Sequence, residues 1–269
     1  MIQAIISPAK QMDTARSSFA ATGIPPFPRH TERILDALRR LLEKQGPRAL
    51  QDLWTVSDAL LDENVQRLRA FRHAADAGDL DTPELARRTG AALFSYIGLQ
   101  YRSMAPEVLG EDALFWLQDH LWILSALYGC VRPFDAVQPY RLEMGAKLSV
   151  DGARSLYAFW GDALARQICA GGGIEVVNLA STEYSKAVLP RLDPDTPVAT
   201  CIFSSSLRNG KPAQKSTESK TARGSMVRWM AETQAGSLED LKGFDVGFRF
   251  DPELSNEDGA RQTLVFMKR

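Results

Sequence analysis

Residues 112–128, DALFWLQDHLWILSALY, are apolar almost all round, and a segment of that kind has to be buried on every side. The pattern predicts a central buried helix closed by Gly129, with the rest of the chain arranged around it. With 269 residues, 45% hydrophobic and 24% charged, the sequence has enough apolar material for one large core or two smaller ones. No Gly/Ser linker, repeat or low-complexity tract interrupts it, so a single domain over residues 1–269 is expected.

The remaining elements follow from periodicity. Residues 2–6 (IQAII) form a β-branched run stopped by Ser7-Pro8, which predicts a buried strand feeding a loop that carries Lys10. Ile34, Leu35, Leu38, Leu41 and Leu42 recur at helical spacing before Gly46-Pro47. A second amphipathic helix runs from about Ser57 to Phe71, and a third starts near Pro83 with an apolar far end around Phe94 to Leu99. Leu156 to Ala170 reads as a helix, Ile174 to Leu179 as a strand, and Ser181 as the cap of a short helix ended by Pro190. Val198–Phe203 is a predicted strand, Asn209-Gly210 a hairpin turn, and Thr221–Glu232 a helix. Phe244–Phe250 and Thr263–Met267 complete the set as late strands. Helices fill the first half and strands gather in the second, which predicts an α+β fold whose mixed sheet is completed late.

Bulk charge narrows the function classes only a little. The formal net charge is −1, so any anion or nucleic-acid site must come from local clustering. Cys130, Cys169 and Cys201 are odd in number and outside any CxxC spacing, which predicts neither disulfides nor a zinc site and fits a reducing cytosol. The start lacks a basic stretch before its short apolar run, and no window reaches the roughly 18 apolar residues of a membrane helix. A cytoplasmic, monomeric protein away from membranes is expected. P-loop, GxGxxG, GxSxG and HExxH patterns are missing. His30, His73 and His120 are widely spaced, so no metal and no cofactor is assigned.

Four places can carry chemistry. In residues 203–230, Arg208, Lys211, Lys215, Lys220, Arg223 and Arg228 face only Glu218, while residues 231–260 hold eight acids against Lys242 and Arg249. This is either a phosphate-collecting wall or a solvated surface whose charges pair with the acidic tail. In QPYRLEMG, residues 138–145, Arg141 can clamp a phosphate or carboxylate, or can pair with Glu143 to pin the chain. Asp162 follows Tyr157 and Trp160. Asn178, Ser181, Glu183, Tyr184 and Lys186 stand where a strand gives way to a helix, a common meeting point of anions and backbone N–H groups.

Taken in order, these segments resemble one family. Ser7-Pro8-Ala9-Lys10, Leu127-Tyr128-Gly129 with Arg132-Pro133, the run 138–145, and Tyr157 to Asp162 are similar to the YaaA family of bacterial peroxide-stress proteins. Asn178 to Ser181 with Glu183, Tyr184 and Lys186, and Ala222-Arg223-Gly224, extend the likeness. The resemblance implies an unusual α+β fold, a positive cleft, DNA binding through a helix-hairpin-helix-like element, and a role in limiting peroxide and iron damage. For that hairpin Leu124, Leu127, Gly129 and Cys130 fit, but Val131 occupies the second glycine position. Leu93-Phe94 stands where the family places Gly-Asp.

Two functions stay open. In the first, Lys10, Arg132, Arg141, Asn178, Lys186, Lys211, Lys215, Lys220 and Arg223 supply a surface for DNA phosphates. In the second, an enzyme holds a phosphorylated or carboxylated small molecule with Lys10, Arg141 and Lys186, and Glu143, Asp162 or Glu183, with Lys10 a further candidate, performs catalysis. Lys10, Arg141, Glu143, Asp162, Asn178 and Lys186 are expected on one cleft.

Overall fold

The computed structural model describes residues 1–15 and 19–269. Ile2–Ile6 (β1) is buried at every position and hydrogen-bonded on both sides. Pro28–Gln45 (α1) and Asp58–Ala70 (α3) follow as the periodicity predicts, and between them lies a helix the sequence reading did not place, Pro47–Trp54 (α2), with Pro47 in its first turn. The helix expected from Pro83 onward is instead two four-residue turns, Pro83–Ala86 and Ala92–Ser95. Leu99–Met104 (α4) comes next.

The apolar run of residues 112–128 is not one helix. It divides into Glu111–His120 (α5) and Leu121–Ser125 (β2), a strand buried at all five positions. A strand covered on both faces is apolar at every residue, so it carries no period-2 signal and looks like a buried helix in sequence. Gly129–Val131 (β3) then pairs antiparallel with β2, Ser125 opposite Gly129. Leu124, Leu127, Gly129 and Cys130 therefore make a strand, a turn and a strand, where the resemblance implied a helix-hairpin-helix. Gly129 sits at φ +81°, where a Cβ would lie 2.7 Å from the Trp160 ring.

The helix expected over 156–170 is broken by Gly161 into Leu156–Trp160 (α6) and Ala163–Ile168 (α7). Glu175–Leu179 (β4), Thr182–Ser185 (α8) and Val198–Ser204 (β5) follow. Leu207–Arg208 (β6) and Lys211–Pro212 (β7) form a hairpin whose turn residues Asn209 and Gly210 both have positive φ, the twist a two-residue hairpin needs. Ser216–Thr233 (α9) is longer than the sequence suggested. Phe248–Phe250 (β8) and Arg261–Lys268 (β9) end the chain.

The fold is α+β, built on a mixed seven-stranded sheet in the order β8-β9-β5-β4-β1-β2-β3. The five central strands, β9 to β2, are parallel, and the outer strands β8 and β3 run antiparallel to their neighbours. One continuous apolar core joins Ile2 to Phe266, so the late strands do complete the sheet that the first strand begins. The α9 helix crosses α4 closely enough that a Cβ on Gly224 would fall 2.0 Å from the Gln100 carbonyl oxygen.

Candidate functional site

From β1 the chain moves to β2 on one side, then returns to place β4 on the other side of β1. In open sheets with a parallel centre, ligands bind outside the carboxyl ends of the strands where successive connections part in this way. The two loops at that point are SPAK (7–10) after β1 and residues 180–186 after β4. They are tied together: the Ser181 N–H donates to Ser7 Oγ at 2.8 Å, and the Ser7 hydroxyl lies 3.2 Å from Ser181 Oγ. Ser181 does stand at the start of α8, but its side chain makes no capping bond there.

All six tyrosines of the chain take part in fixing this edge. Tyr101 donates to the Ser7 carbonyl at 3.0 Å, and Tyr157 donates to the Glu183 carbonyl at 2.9 Å. The Tyr128 hydroxyl grips Gln138 by accepting from its N–H at 2.9 Å and donating to its carbonyl at 3.5 Å. Tyr184 is hydrogen-bonded to the Met144 backbone, and Tyr140 links Ser125 Oγ (2.7 Å) to the Tyr96 hydroxyl (3.2 Å). Burial raises every one of these phenols above the ordinary tyrosine range, so they remain neutral hydrogen-bond formers. Loops 7–10, 138–145 and 183–186 are thus held by rigid aromatic clamps, the supporting shell a preorganised site requires. Sequence reasoning placed Tyr128, Tyr140, Tyr157 and Tyr184 inside the motifs but gave none of the six tyrosines this clamping role.

On this frame the charged residues divide. Glu143 accepts from Lys10 Nζ at 2.7 Å and from Arg141 Nη2 at 2.8 Å, and Arg141 also donates to the Trp54 carbonyl at 3.3 Å. Glu183 accepts from the Gly145 N–H at 2.8 Å, which brings the second carboxylate to the same loop. Lys186 is exposed one residue beyond α8 and has no acidic partner among the described residues. The other expected members are used elsewhere. Asn178 is buried, accepting from the Ala180 N–H at 3.1 Å and donating to Thr200 Oγ1 at 3.3 Å. Asp162 pairs with Arg166 at 2.7 Å on the surface of α7, and not with Lys186. Direct bonds therefore join Lys10, Arg141 and Glu143, with Glu183 on the same loop, and among the described residues Asp162, Asn178 and Lys186 make no bond to this group.

Arg132 is also used within the fold. Its guanidinium lies 3.6 Å from the centre of the Trp122 ring and donates to Gln3 Oε1 (3.0 Å) and to the Leu121 carbonyl (3.2 Å). It is half-buried, with these bonds holding it against β1 and β2. Next to it Asp135 is buried, accepts from the Arg132 N–H at 2.8 Å, and is pushed up to about 7 by burial, which outweighs that bond and the nearby guanidinium.

The basic segment projects differently. Arg208, Lys211, Lys215 and Lys220 are exposed on the β6–β7 hairpin and the first turns of α9. Lys215 lies 4.0 Å from Glu218, a carboxylate shared with Lys268 and Ser205. Arg208, Lys211 and Lys220 have no ion-pair partner among the described residues, so the acidic tail does not neutralise them. Arg228 pairs with Glu232 at 2.9 Å. Arg223 is turned inward, its Nε enclosed.

Burial keeps two of the three thiols, Cys130 and Cys201, protonated. Burial pushes Cys201 up to about 12 and Cys130 further, and Cys169 is also raised. Since the thiolate is the nucleophile toward peroxide, its fraction at pH 7 falls to about one in 10⁵ for a thiol titrating near 12. Brief treatment of the native protein with hydrogen peroxide at pH 7 is expected to leave Cys130 and Cys201 reduced by mass spectrometry, whereas the urea-unfolded chain oxidises. Sulfenic acid on either residue in the folded protein would contradict this. Among the described residues no group of three or more His, Cys, Asp or Glu side chains is arranged to hold a metal ion. Nor is any described helix long and apolar enough to cross a membrane.

Residues 2–254 match the profile of the family described as "Peroxide stress protein YaaA". The chain belongs to that family. A UPF0246 protein of Pediococcus pentosaceus is 39% identical over 265 residues, covering 98% of this chain and 97% of the relative. One from Limosilactobacillus fermentum is 42% identical over 255 residues, covering 94% and 96%. One from Lachnoclostridium phytofermentans is 37% identical, covering 98% and 95%. The YaaA match spans the switch-point loops, the tyrosine clamps and the basic hairpin alike, so the whole candidate site lies within what the family shares in length.

Proposed function

We propose that this YaaA-family chain binds DNA through its phosphates, with little regard for sequence, as its part in the peroxide-stress role for which the family is described. The observation that carries the reading is the exposed set Arg208, Lys211 and Lys220, three cations without acids on one projecting hairpin and the adjoining helix. Unpaired surface cations gain little from folding and are available to replace the counterions around a phosphate backbone. Contacts of this kind position a protein on DNA and read no bases. Replacing Lys211, Lys215 and Lys220 together by alanine is expected to lower affinity for unrelated DNA sequences uniformly, by at least tenfold at low salt in a fluorescence titration, with no change in the unfolding midpoint. Retained affinity in the triple variant would refute the assignment of this surface.

A catalytic reading rests on a separate observation. The clamped loops bring Lys10, Arg141 and Glu143 into one hydrogen-bonded group with Glu183 adjacent, at the sheet edge where α and β folds commonly place their ligands. There Lys10 and Arg141 would hold the carboxylate or phosphate of a small molecule, and Glu143 or Glu183 would move a proton.

A further inference from the structure

Three arginines reach into this fold, and two of them have acceptors. Arg132 is stacked on Trp122 and bonded to Gln3 and Leu121, and Arg141 is bonded to Glu143 and Trp54. Arg223 has none. No hydrogen bond or ion pair joins its guanidinium to any described residue, its Nε is enclosed without a partner, and burial lowers its affinity for a proton. The group closest to it in electrostatic terms is the Cys201 thiol, which burial keeps protonated and so without charge to offset the arginine. A charge placed this way, with no carboxylate near it, is costly to the folded state and calls for an anion from outside.

The surroundings point the same way. Ser219, one turn earlier on the same face of α9, is buried with its hydroxyl unpartnered. Gln100 of α4, whose backbone meets α9 at Gly224, is buried with its Nε2 unpartnered. Both side chains lie enclosed and do not reach a ligand themselves, but they mark this stretch of α9 as one where the fold leaves polar groups unsatisfied. The two terminal amines of Arg223, unlike its Nε, are not among the enclosed atoms, so they are the part of the side chain an anion can meet.

We propose that Arg223, half-buried on α9 beside β5, holds the phosphoryl group of a small molecule through its two terminal amines. A phosphoryl group suits Arg223 because it offers paired oxygens to the guanidinium fork. Arg223 is half-buried, unlike the exposed cations of the hairpin and the first turns of α9, which are placed to follow an extended backbone.

The test uses inorganic phosphate as probe and the full chain, with chloride added to hold ionic strength constant. The wild-type melting temperature is expected to rise by several degrees as phosphate is increased to tens of millimolar. Arg223→Met, which removes the charge at similar volume, is expected to lose the response and to melt no lower than wild type without phosphate. Arg223→Lys, which keeps the charge but not the fork, is expected to need at least tenfold more phosphate, and it decides the matter if the methionine variant does not fold. A flat wild-type response, or an unchanged response in both variants, overturns the proposal. DNA titration separates it from the hairpin function: Arg223→Met is expected to bind DNA as wild type does. A loss matching that of the triple lysine variant would assign Arg223 to backbone phosphates and overturn the small-molecule site.

Discussion

Replacing Gly224 by alanine is expected to destabilise the protein by roughly 3 kcal/mol or more, measured by urea unfolding. The added Cβ would sit 2.0 Å from the Gln100 carbonyl oxygen, 2.9 Å from its carbon and 3.0 Å from Ser103 Cβ. The nearest of these atoms are backbone, so no side-chain rotation relieves the clash; α4 and α9 must move apart. Their separation also breaks the 2.7 Å hydrogen bond between Ser103 and Ser225. Gly171→Ala is the control, since its Cβ would meet only Ile174 at an ordinary 3.6 Å, and a change within about 1 kcal/mol is expected there. An equally mild effect at Gly224 would mean that the two helices do not cross as described.

Asp135→Asn is expected to stabilise the protein at alkaline pH and to leave it unchanged in acid. The folded carboxyl titrates near 7, above its unfolded value of roughly 4, so the folded state binds the extra proton and stability falls as pH rises between those values. Above pH 7 the loss is complete and, by the size of the shift, of the order of 4 kcal/mol. Asparagine carries no charge at any pH and keeps an oxygen for the Arg132 N–H, which Asp135 accepts at 2.8 Å. Melting curves from pH 4 to pH 9 should therefore converge at the acid end and diverge above neutrality, with the variant the more stable. A variant less stable than wild type at pH 8.5 would show that the Arg132–Asp135 attraction outweighs burial.

The local elements with a clear period were legible in the sequence. The α1 and α3 helices announce themselves by apolar spacing, the β6–β7 turn by Asn209-Gly210, and β1 and β5 by β-branched or apolar runs bounded by turn residues. The β2 strand was hidden because burial on both faces erases alternation, and the same merger concealed the strand–turn–strand at Leu124 to Cys130. At the site, the pairing of Arg141 with Glu143 follows from their spacing, but its extension to Lys10 depends on two loops brought together by β1. Asp162 and Asn178 show the limit of motif reasoning: the same residue types satisfy a surface pair and a buried turn. The tyrosine clamps depend on contacts such as Tyr101 with Ser7, 94 positions apart, for which one sequence holds no signal beyond the residue type.

The proposed DNA surface is tested most directly by the salt dependence of binding, measured on duplex, bubbled and single-stranded DNA for the wild type and for the Lys211, Lys215 and Lys220 triple alanine variant. With three to four phosphate contacts the wild-type plot of log affinity against log salt is expected to have a slope of about −3 on duplex DNA, flattening by two to three units in the variant. Absence of binding to all three forms at low salt, or a slope that the triple substitution leaves untouched, would contradict it.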